Sequence, residues 1–539
     1  MQLEKLTIHN FRCFKDLEIS FGKLTTLVGE NGAGKTAILE AINFAFGPSF
    51  LSSRIDEQDF NNADAGNIEI ILTFDKPFNV KLADGYTTRD VPCKTINLEV
   101  HRRERASPGK ALSDGFVARR WFEPTPNIKR TKDKDGNYLG WEMPRKGETT
   151  FKFNERTLEQ PREIEGLPRC FYFNKERENQ AKIGYNSTLQ KLVDEFNWRF
   201  RKGLDGRSAD FLKMWNELYD HVLGSVGKKK MAETFEPIRN KLKSIAGSKY
   251  DKLDLSLLNL EQPFGKSFFS LREDLNQTEL GGLGSGISMI LSYFLLETVS
   301  ELSKETLIVL IDEPELHLHP QLRRKFRKRL EDSSSQIILS THSEDMVDLG
   351  SWRSVKRIDI QQQWFPLPSV IKEPLAGSTV EGHLDDLSKF YQDKLSLLRE
   401  NNEMFFARKC VLVEGATDKY CIEILAAKGG INIEDFTIIN CNGKGKIKFY
   451  QLICRAFGIP YFTLFDFDGK DEEDKENKAI IAGSSDAEYF AFSNDLSAIF
   501  GIGQEQHRGS RTMEKIEECT TVPVEVIAAF EKIKSFVLK

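Results

Sequence analysis

Three acidic residues in the last third of the sequence carry its densest chemistry. Glu414 closes the apolar run KCVLVEG, and Asp466 and Asp468 close another, YFTLFDFDG. Both runs read as strands. Residues at i and i+2 of a strand point to one side, so the two aspartates are expected to converge, with Glu414 joining them from a parallel neighbour. Such an all-oxygen set suits Mg2+ or Mn2+ and not zinc. Ions of that type activate water and offset charge on a leaving oxygen, which is what phosphodiester cleavage requires. Lys444 and Lys446, in the intervening CNGKGKI, stand beside these carboxylates as candidates to grip phosphate or to stabilise a transition state.

A second constellation lies upstream. GENGAGKT (29–36) fits G-x-x-x-x-G-K-[ST], with an apolar strand before it and the helical pattern TAILEAINFAF after it. Gly29, Asn31, Gly32 and Gly34 belong to a turn whose N–H groups face phosphate, and the helix N-terminus adds a partial positive charge. Lys35 would reach the β- and γ-phosphates of ATP, and Thr36 would hold Mg2+. TLIVLIDEPELHLHP (306–320) delivers Asp312 and Glu313 at the C-terminal end of a buried strand. Asp312 would hold the metal, and Glu313 would orient or deprotonate the attacking water. STHS (340–343) follows a further apolar strand and leaves His342 at a strand end. GGLGSGIS (281–288) opens a helix, and glycines with a serine there make a phosphate-binding end. His317 and His319 have H-x-H spacing, but the strand-end turn onto Pro320 accounts for them.

NFRCF, GENGAGKT, LGSG, IDEPELHLHP and STH together resemble the ABC-type ATPases of the SMC and RecF kind. That resemblance implies a head-to-head homodimer, or a higher oligomer, with ATP sandwiched between subunits. It implies that His342 senses the γ-phosphate and that Ser285 and Gly286 of one subunit face the nucleotide of the other. Gln58 and Asp59, in DEQDF, are the candidates for the Q-loop of such engines. Glu414-Gly415, CNGKGKI and FDFDG resemble the Toprim pattern shared by topoisomerases, primases and some nucleases. The order of the two parts, with FFARKCVLVEG at their junction, resembles the overcoming-lysogenization-defect (OLD) family over nearly the whole chain, least so in 110–260 and after 480. The resemblance implies an ATP-regulated DNA endonuclease, often in defence against phage. Members act alone, with a helicase as in the Gabija system, or as retron effectors beside a reverse transcriptase and its msDNA. It further implies an acidic partner four residues after Glu414, here Asp418 in place of the usual glutamate. Acidic and basic groups nearer the C-terminus complete the pattern: Asp495 in NDLSAIFG is favoured, with Glu488, Arg511 and Lys515 beside it.

Elements of definite kinds must position these groups. The 539 residues suggest two to four domains. An apolar fraction of 40% and a charged fraction of 29% fit a soluble globular chain. A net charge of -5 excludes a general basic coat, so contact with DNA must be local. RRKFRKR (323–329) and GKKK (227–230) are the densest basic runs. The 8 cysteines are scattered without a C-x-x-C pair, which reads as reduced thiols and no zinc ribbon. MQLEKLTIHNF alternates like a strand and is no signal peptide, and no apolar run approaches the ~20 residues of a membrane helix, so a cytoplasmic location is expected. The expected class is α/β: an ABC-type ATPase with a helical insertion, followed by a Toprim α/β domain. The ATPase spans 1–180, with the P-loop, and 261–382, with signature, Walker B and H-loop. A helical insertion for dimerisation spans 181–260, and a connector helix with the Toprim nuclease domain spans 383–539. Strands are expected at 68–75 and 95–100, hairpins with exposed loops over 119–150, and a helical connector over 383–408. A non-cleaving, ATP-driven DNA clamp or sensor is the alternative reading. A topoisomerase would need a tyrosine on a separate DNA-gating domain, which the sequence does not display.

Overall fold

The computed structural model describes residues 1–47, 55–61, 66–83, 88–102, 116–124, 166–174, 306–359, 401–428, 436–484, 488–503 and 508–538, with short stretches and single positions elsewhere. The chain divides into two compact units, Met1–Lys175 with Glu297–Lys539, and Glu176–Leu296.

The first unit begins with β1 (Leu3–Phe11), β2 (Phe14–Ser20) and β3 (Leu24–Val28), then α1 (Lys35–Phe46). β4 (Ile68–Ala83), β5 (Thr88–Arg102), β6 (Phe116–Pro124) and β7 (Arg169–Phe173) follow. The alternation of β1 and β2 buries Leu6, Ile8, Leu17 and Ile19 on one face. They belong to a five-stranded antiparallel sheet ordered β2-β1-β4-β5-β6. The expected strands at 68–75 and 95–100 are both longer than their apolar alternation suggests. They continue as a ribbon to Ala83 paired with Thr88. The extension keeps the period-2 alternation, with Phe78 and Val80 of β4 and Cys93 of β5 buried, but Pro77 and Pro92 interrupt the sequence signal. A strand also begins at Phe116, ahead of the expected hairpins; 125–150 lies outside the described residues.

The second unit contains a hairpin of β8 (Ser270–Glu273) and β9 (Asn276–Glu279). Its described positions between 197 and 217 are helical, and Ser285 lies outside the described residues.

The first unit resumes with β10 (Leu307–Asp312), α2 (Pro320–Asp332), β11 (Gln336–Ser340) and β12 (Val355–Arg357). These complete an all-parallel sheet, β12-β3-β11-β10-β7. β10 and β11 are buried at every residue, as central parallel strands covered on both faces must be. α1 packs on this sheet through Ala37, Ile38, Ala41, Ile42 and Ala45, spaced at helical period.

After residues outside the described set, the chain re-enters at a 3-10 turn, Asn402–Phe405, where the end of a longer helical connector was expected. β13 (Cys410–Val413), α3 (Ala416–Lys428), β14 (Thr437–Asn440), α4 (Ile447–Ala456), β15 (Tyr461–Asp466), α5 (Lys475–Ile481) and β16 (Tyr489–Phe492) build a second parallel sheet ordered β14-β13-β15-β16. α6 (Leu496–Ile499), α7 (Arg508–Glu518) and α8 (Val524–Leu538) close the chain. Alternate residues of β13 enter two different cores. Val411 and Val413 join Phe462, Ile516 and Ile533. Cys410 and Leu412 join Phe405, Ile453 and Phe465, together with Val28, Val347, Trp352 and Val355 from the preceding sheet and its loops. The class is thus α/β as expected. Among the described residues no helix is long and apolar enough to cross a membrane, and all eight cysteines are free thiols.

Candidate functional site

In the first parallel sheet, β3, β11 and β10 are adjacent and all point the same way. Their C-terminal ends therefore deliver the P-loop, Ser340 to His342, and Asp312 to one crevice, the position where open α/β sheets bind ligands. Two glycines are needed for this approach. Gly29 has φ of 133°, and a side chain there would run into the Ile358 carbonyl. Gly34 has φ of 100°, and a Cβ there would meet Phe14 and, at 2.6 Å, the Cys13 sulfur. Asn31 and Gly32 are exposed in the same turn.

Thr36 Oγ1 donates to both oxygens of Asp312, at 3.1 and 3.2 Å, across 276 positions of sequence. The Ser340 hydroxyl also donates to Asp312. Lys35 Nζ donates to the carbonyls of Gly29 at 2.8 Å and Glu30 at 2.7 Å. Burial lowers its pKa to about 8, against the upward pull of Glu313, Asp312, Glu315 and Glu30. Glu313 has φ of 49°, left-handed for a residue with a side chain, and its N–H is held by the Ser340 carbonyl at 3.0 Å. His342 is exposed, and its N–H donates to Glu315 at 2.7 Å. Glu315 is a buried carboxyl, raised in pKa chiefly by that burial. Its place under His342 was not anticipated; the alternation of Glu313 and Glu315 after a buried strand was the available signal. Gln58 is exposed on a 3-10 turn, whereas Asp59 is buried and tied to Arg12 at 3.0 Å. Gly286 is buried in a helical position of the other unit.

The second crevice lies at the ends of β13 and β15. These are neighbours, with Cys410 beside Tyr461 and Leu412 beside Thr463. Glu414 follows β13 and accepts the Asp466 N–H on Oε1 at 2.9 Å. Asp466 is the last residue of β15. Asp468 does not share that strand: it lies two residues beyond it, with φ of 54°. The i, i+2 rule therefore does not bring the aspartates together. A turn does, in which the Asp468 N–H donates to Asp466 Oδ1 at 3.2 Å. Lys444 Nζ donates to the Asp466 carbonyl and to Asp468 Oδ2, the latter at 2.8 Å, and stands 3.9 Å from Asp466 Oδ1.

Burial, reinforced by Asp418 and Asp468, raises Glu414 to about 7. Burial, reinforced by Glu414, raises Asp466 to about 8. Partial burial works upward on Asp468 too, but its hydrogen bonds with Lys444 and Asp466 hold it below its ordinary value. Asp418, in the first turn of α3, accepts the Gly415 N–H at 2.9 Å, and burial raises it to about 6, with Asp495 adding to the rise. Asp495 caps α6 through the Ala498 N–H at 2.9 Å. Glu488 stands at the N-terminal end of β16, away from the strand tips that carry Asp466. Arg511 and Lys515 are exposed on α7. Lys446 is half-buried beside Lys444.

Two observations bear on a metal here, and they pull apart. Among the described residues no three acidic, histidine or cysteine side chains form a ready cage. Yet burial, with the neighbouring carboxylates adding to it, raises Glu414 to about 7 and Asp466 to about 8, and Lys444 is a buried cation beside them. The chemistry of the donor set fits a hard divalent cation, with Lys444 supplying part of the compensating charge.

The arginines of the basic run on α2 have internal partners. Arg323 donates to the Leu318 carbonyl, Arg324 to Asp345, Arg327 to Glu331 and Met346, and Arg329 to Glu297. They serve the fold. His319 caps α2 through the Gln321 N–H. GKKK lies outside the described residues.

Residues 24–348 match the family model described as AAA domain, putative AbiEii toxin, Type IV TA system. Residues 405–468 match that of the overcoming lysogenization defect protein-like TOPRIM domain. The chain is similar to the OLD nuclease of Thermus scotoductus, 26% identical over 93% of this chain and 92% of that one. The Old nuclease of Escherichia phage P2 is 22% identical over 87% of this chain and 77% of its own. The endonuclease GajA of Bacillus cereus is 22% identical over 78% and 67%, respectively.

Proposed function

We propose, from the premise that this chain belongs to the OLD family, an AAA domain of the putative AbiEii toxin type joined to an OLD-like Toprim domain, that it is an ATP-regulated, divalent-metal-dependent DNA endonuclease. The observation that carries this reading is the meeting of Glu414, Asp466 and Asp468 around Lys444 at the tips of adjacent parallel strands. Glu414, Asp466, Asp468 and Asp418 would hold Mg2+ or Mn2+, which supplies an activated water and neutralises charge on the departing oxygen. Lys444 donates to Asp468, and with a cation on that carboxylate it would be available to pair with a phosphate oxygen. Asp495, close enough to raise Asp418 electrostatically, and the exposed Arg511 and Lys515 are the groups proposed to complete the site.

Upstream, Gly29, Asn31, Gly32, Gly34 and Lys35 would cradle the phosphates of ATP, with Thr36 and Asp312 at its Mg2+. Glu313 orients water and His342 reads the γ-phosphate. Ser285 and Gly286 of a second subunit would close the site. The reading extends to a role in defence against phage, in the cytoplasm, as a homodimer or higher oligomer that acts alone or beside a helicase or a retron; similarity to a retron Ec83 probable ATPase of Escherichia coli, 24% identical over 76% of this chain and 81% of its own, supports the last.

Supercoiled plasmid with Mg2+ or Mn2+ tests the reading. Wild-type protein is expected to nick or linearise it, and Asp466→Ala to lower the rate by on the order of a hundredfold or more. Equal cleavage by both proteins, or none by either under any nucleotide condition, would leave the alternative of an ATP-driven clamp.

A further inference from the structure

Between the two crevices runs a short segment, residues 401–408, that touches both. Asn402 is buried, and its side-chain amide donates to the carbonyls of Glu344 at 3.0 Å and Val347 at 3.1 Å. Those carbonyls belong to the turn that follows His342. The ring of Phe406 lies 6.2 Å from the His342 imidazole, tilted by 32°. The Ala407 carbonyl accepts from Arg357 of β12 at 3.0 Å, and the same guanidinium holds the Gly458 carbonyl at 3.1 Å. Arg408 Nε donates to Glu30 Oε2 at 2.7 Å. Glu30 is inside the P-loop, and its carbonyl is one of the two that hold Lys35. At the other end, the Asn401 amide donates to the Asn440 carbonyl of β14 at 2.7 Å.

We propose that residues 401–408 form the strut by which the nucleotide site sets the position of Glu414, with Arg408 as its positioning residue. The argument rests on the nuclease reading above and extends it to regulation. Two residues after Arg408 the chain becomes β13, an interior strand paired on both sides, and Glu414 is the next residue after it. A paired strand does not stretch. With a rise of ~3.3 Å per residue, Cys410 to Glu414 is a lever of about 13 Å whose near end is fixed to the strut. Val28, the last residue of β3 before the P-loop, shares a core with Cys410 and Leu412, so the seam is packed and not hinged. To reach phosphate, Lys35 must give up the carbonyls of Gly29 and Glu30. Glu30 then moves relative to Arg408, while a γ-phosphate draws on His342 and hence on Phe406. Both movements arrive at the start of β13. The Glu414 carboxylate accepts the Asp466 N–H, so a displacement of Glu414 alters the metal-binding set directly.

Arg408 is well suited to test this. Its own side chain is 72% exposed but that of Glu30 only 11%, so the urea-unfolding midpoint of each variant is measured beside activity to separate lost coupling from lost fold. The experiment uses full-length protein, plasmid, and a nonhydrolysable ATP analogue with Mg2+, and compares wild type with Arg408→Ala and Arg408→Lys. Hydrogen exchange over residues 401–414 is followed in parallel. In wild type the nucleotide changes both the cleavage rate and the exchange of this stretch. Arg408→Ala is expected to shrink the nucleotide-dependent ratio of cleavage rates by about fivefold or more, the lower range of an allosteric coupling. Arg408→Lys, which retains a cation, keeps most of the ratio. The proposal is overturned if Arg408→Ala responds to nucleotide as wild type does, or if wild-type exchange at 401–414 ignores the nucleotide. A wild type that cuts no DNA would defeat the nuclease reading alone, since hydrogen exchange would still decide whether the strut responds.

Discussion

At the scale of single residues, Glu414 and Asp466 hold protons at pH values where ordinary carboxylates have lost them. Their folded pKa values, about 7 and about 8, lie far above the ordinary 4.5 and 3.8. Between those limits the folded chain binds more protons than the unfolded one. The resulting stability is fully present below about pH 4 and is lost as pH rises through about 7 to 8. In a chelating buffer, thermal unfolding is therefore expected to shift to lower temperature between about pH 6 and about pH 8.5. Added Mg2+ or Mn2+ should restore it, with a gain that grows with pH because bound metal displaces those protons. Asp466→Asn should flatten the dependence. Calorimetry checks this, and a metal-induced gain that shrinks with rising pH would contradict the proposed ligand set. Glu414 and Asp466 were legible because each ends a fully apolar run, the mark of a buried strand tip. The place of Asp468 was not, because parity along a strand fails once the chain turns to a left-handed φ. The pairing of Glu30 with Arg408 was unreadable for another reason: 378 positions separate them, and single-sequence patterns carry no long-range pairing.

At the scale of elements, the turn from β3 into α1 depends on Gly34. It caps α1 in the left-handed region, with no side-chain cap, and it packs against Cys13 and Phe14 from the turn between β1 and β2. The aromatic and cysteine of NFRCF thus form the floor under the P-loop, a role their sequence position did not reveal. Gly34→Ala meets two penalties together. The backbone conformation costs about 1–2 kcal/mol for any residue with a Cβ, and the Cβ must displace the Phe14 ring in a closed core. Loss of measurable ATP binding is expected, together with a lower midpoint in urea unfolding. Retention of wild-type affinity would mean that the loop adopts another conformation around phosphate. By contrast, the central strands of the parallel sheets were legible from length and hydrophobicity, whereas β7, β12 and β16 at their edges were not. β10, β11, β13 and β15 are short runs buried throughout and bounded by acidic, glycine or serine residues. The ribbon of β4 and β5 was only half legible, since Pro77 and Pro92 break the apolar alternation that Phe78, Val80 and Cys93 continue.

At the scale of the whole molecule, the proposed homodimer would make the nucleotide site half a site within one chain. The described residues around Lys35 gather Thr36, Asp312, Glu313 and Ser340 on one side, whereas the glycine-serine helix start at 281–288 belongs to the other compact unit. If Ser285 serves the nucleotide of a partner subunit, Lys35→Ala and Ser285→Arg each destroy both composite sites of a homodimer, but by opposite halves. A mixed dimer then holds one doubly damaged site and one intact site. After equal mixing under conditions that exchange subunits, half of the dimers are mixed and each retains one site of two. ATP turnover should therefore recover to about a quarter of wild type from two inactive proteins, as two-fold symmetry requires. Turnover is read by phosphate release, and exchange by mass spectrometry of differently tagged subunits. Full exchange with no recovered turnover would place Ser285 in the same site as Lys35 or in neither, and the sandwich of two subunits around ATP would have to be abandoned.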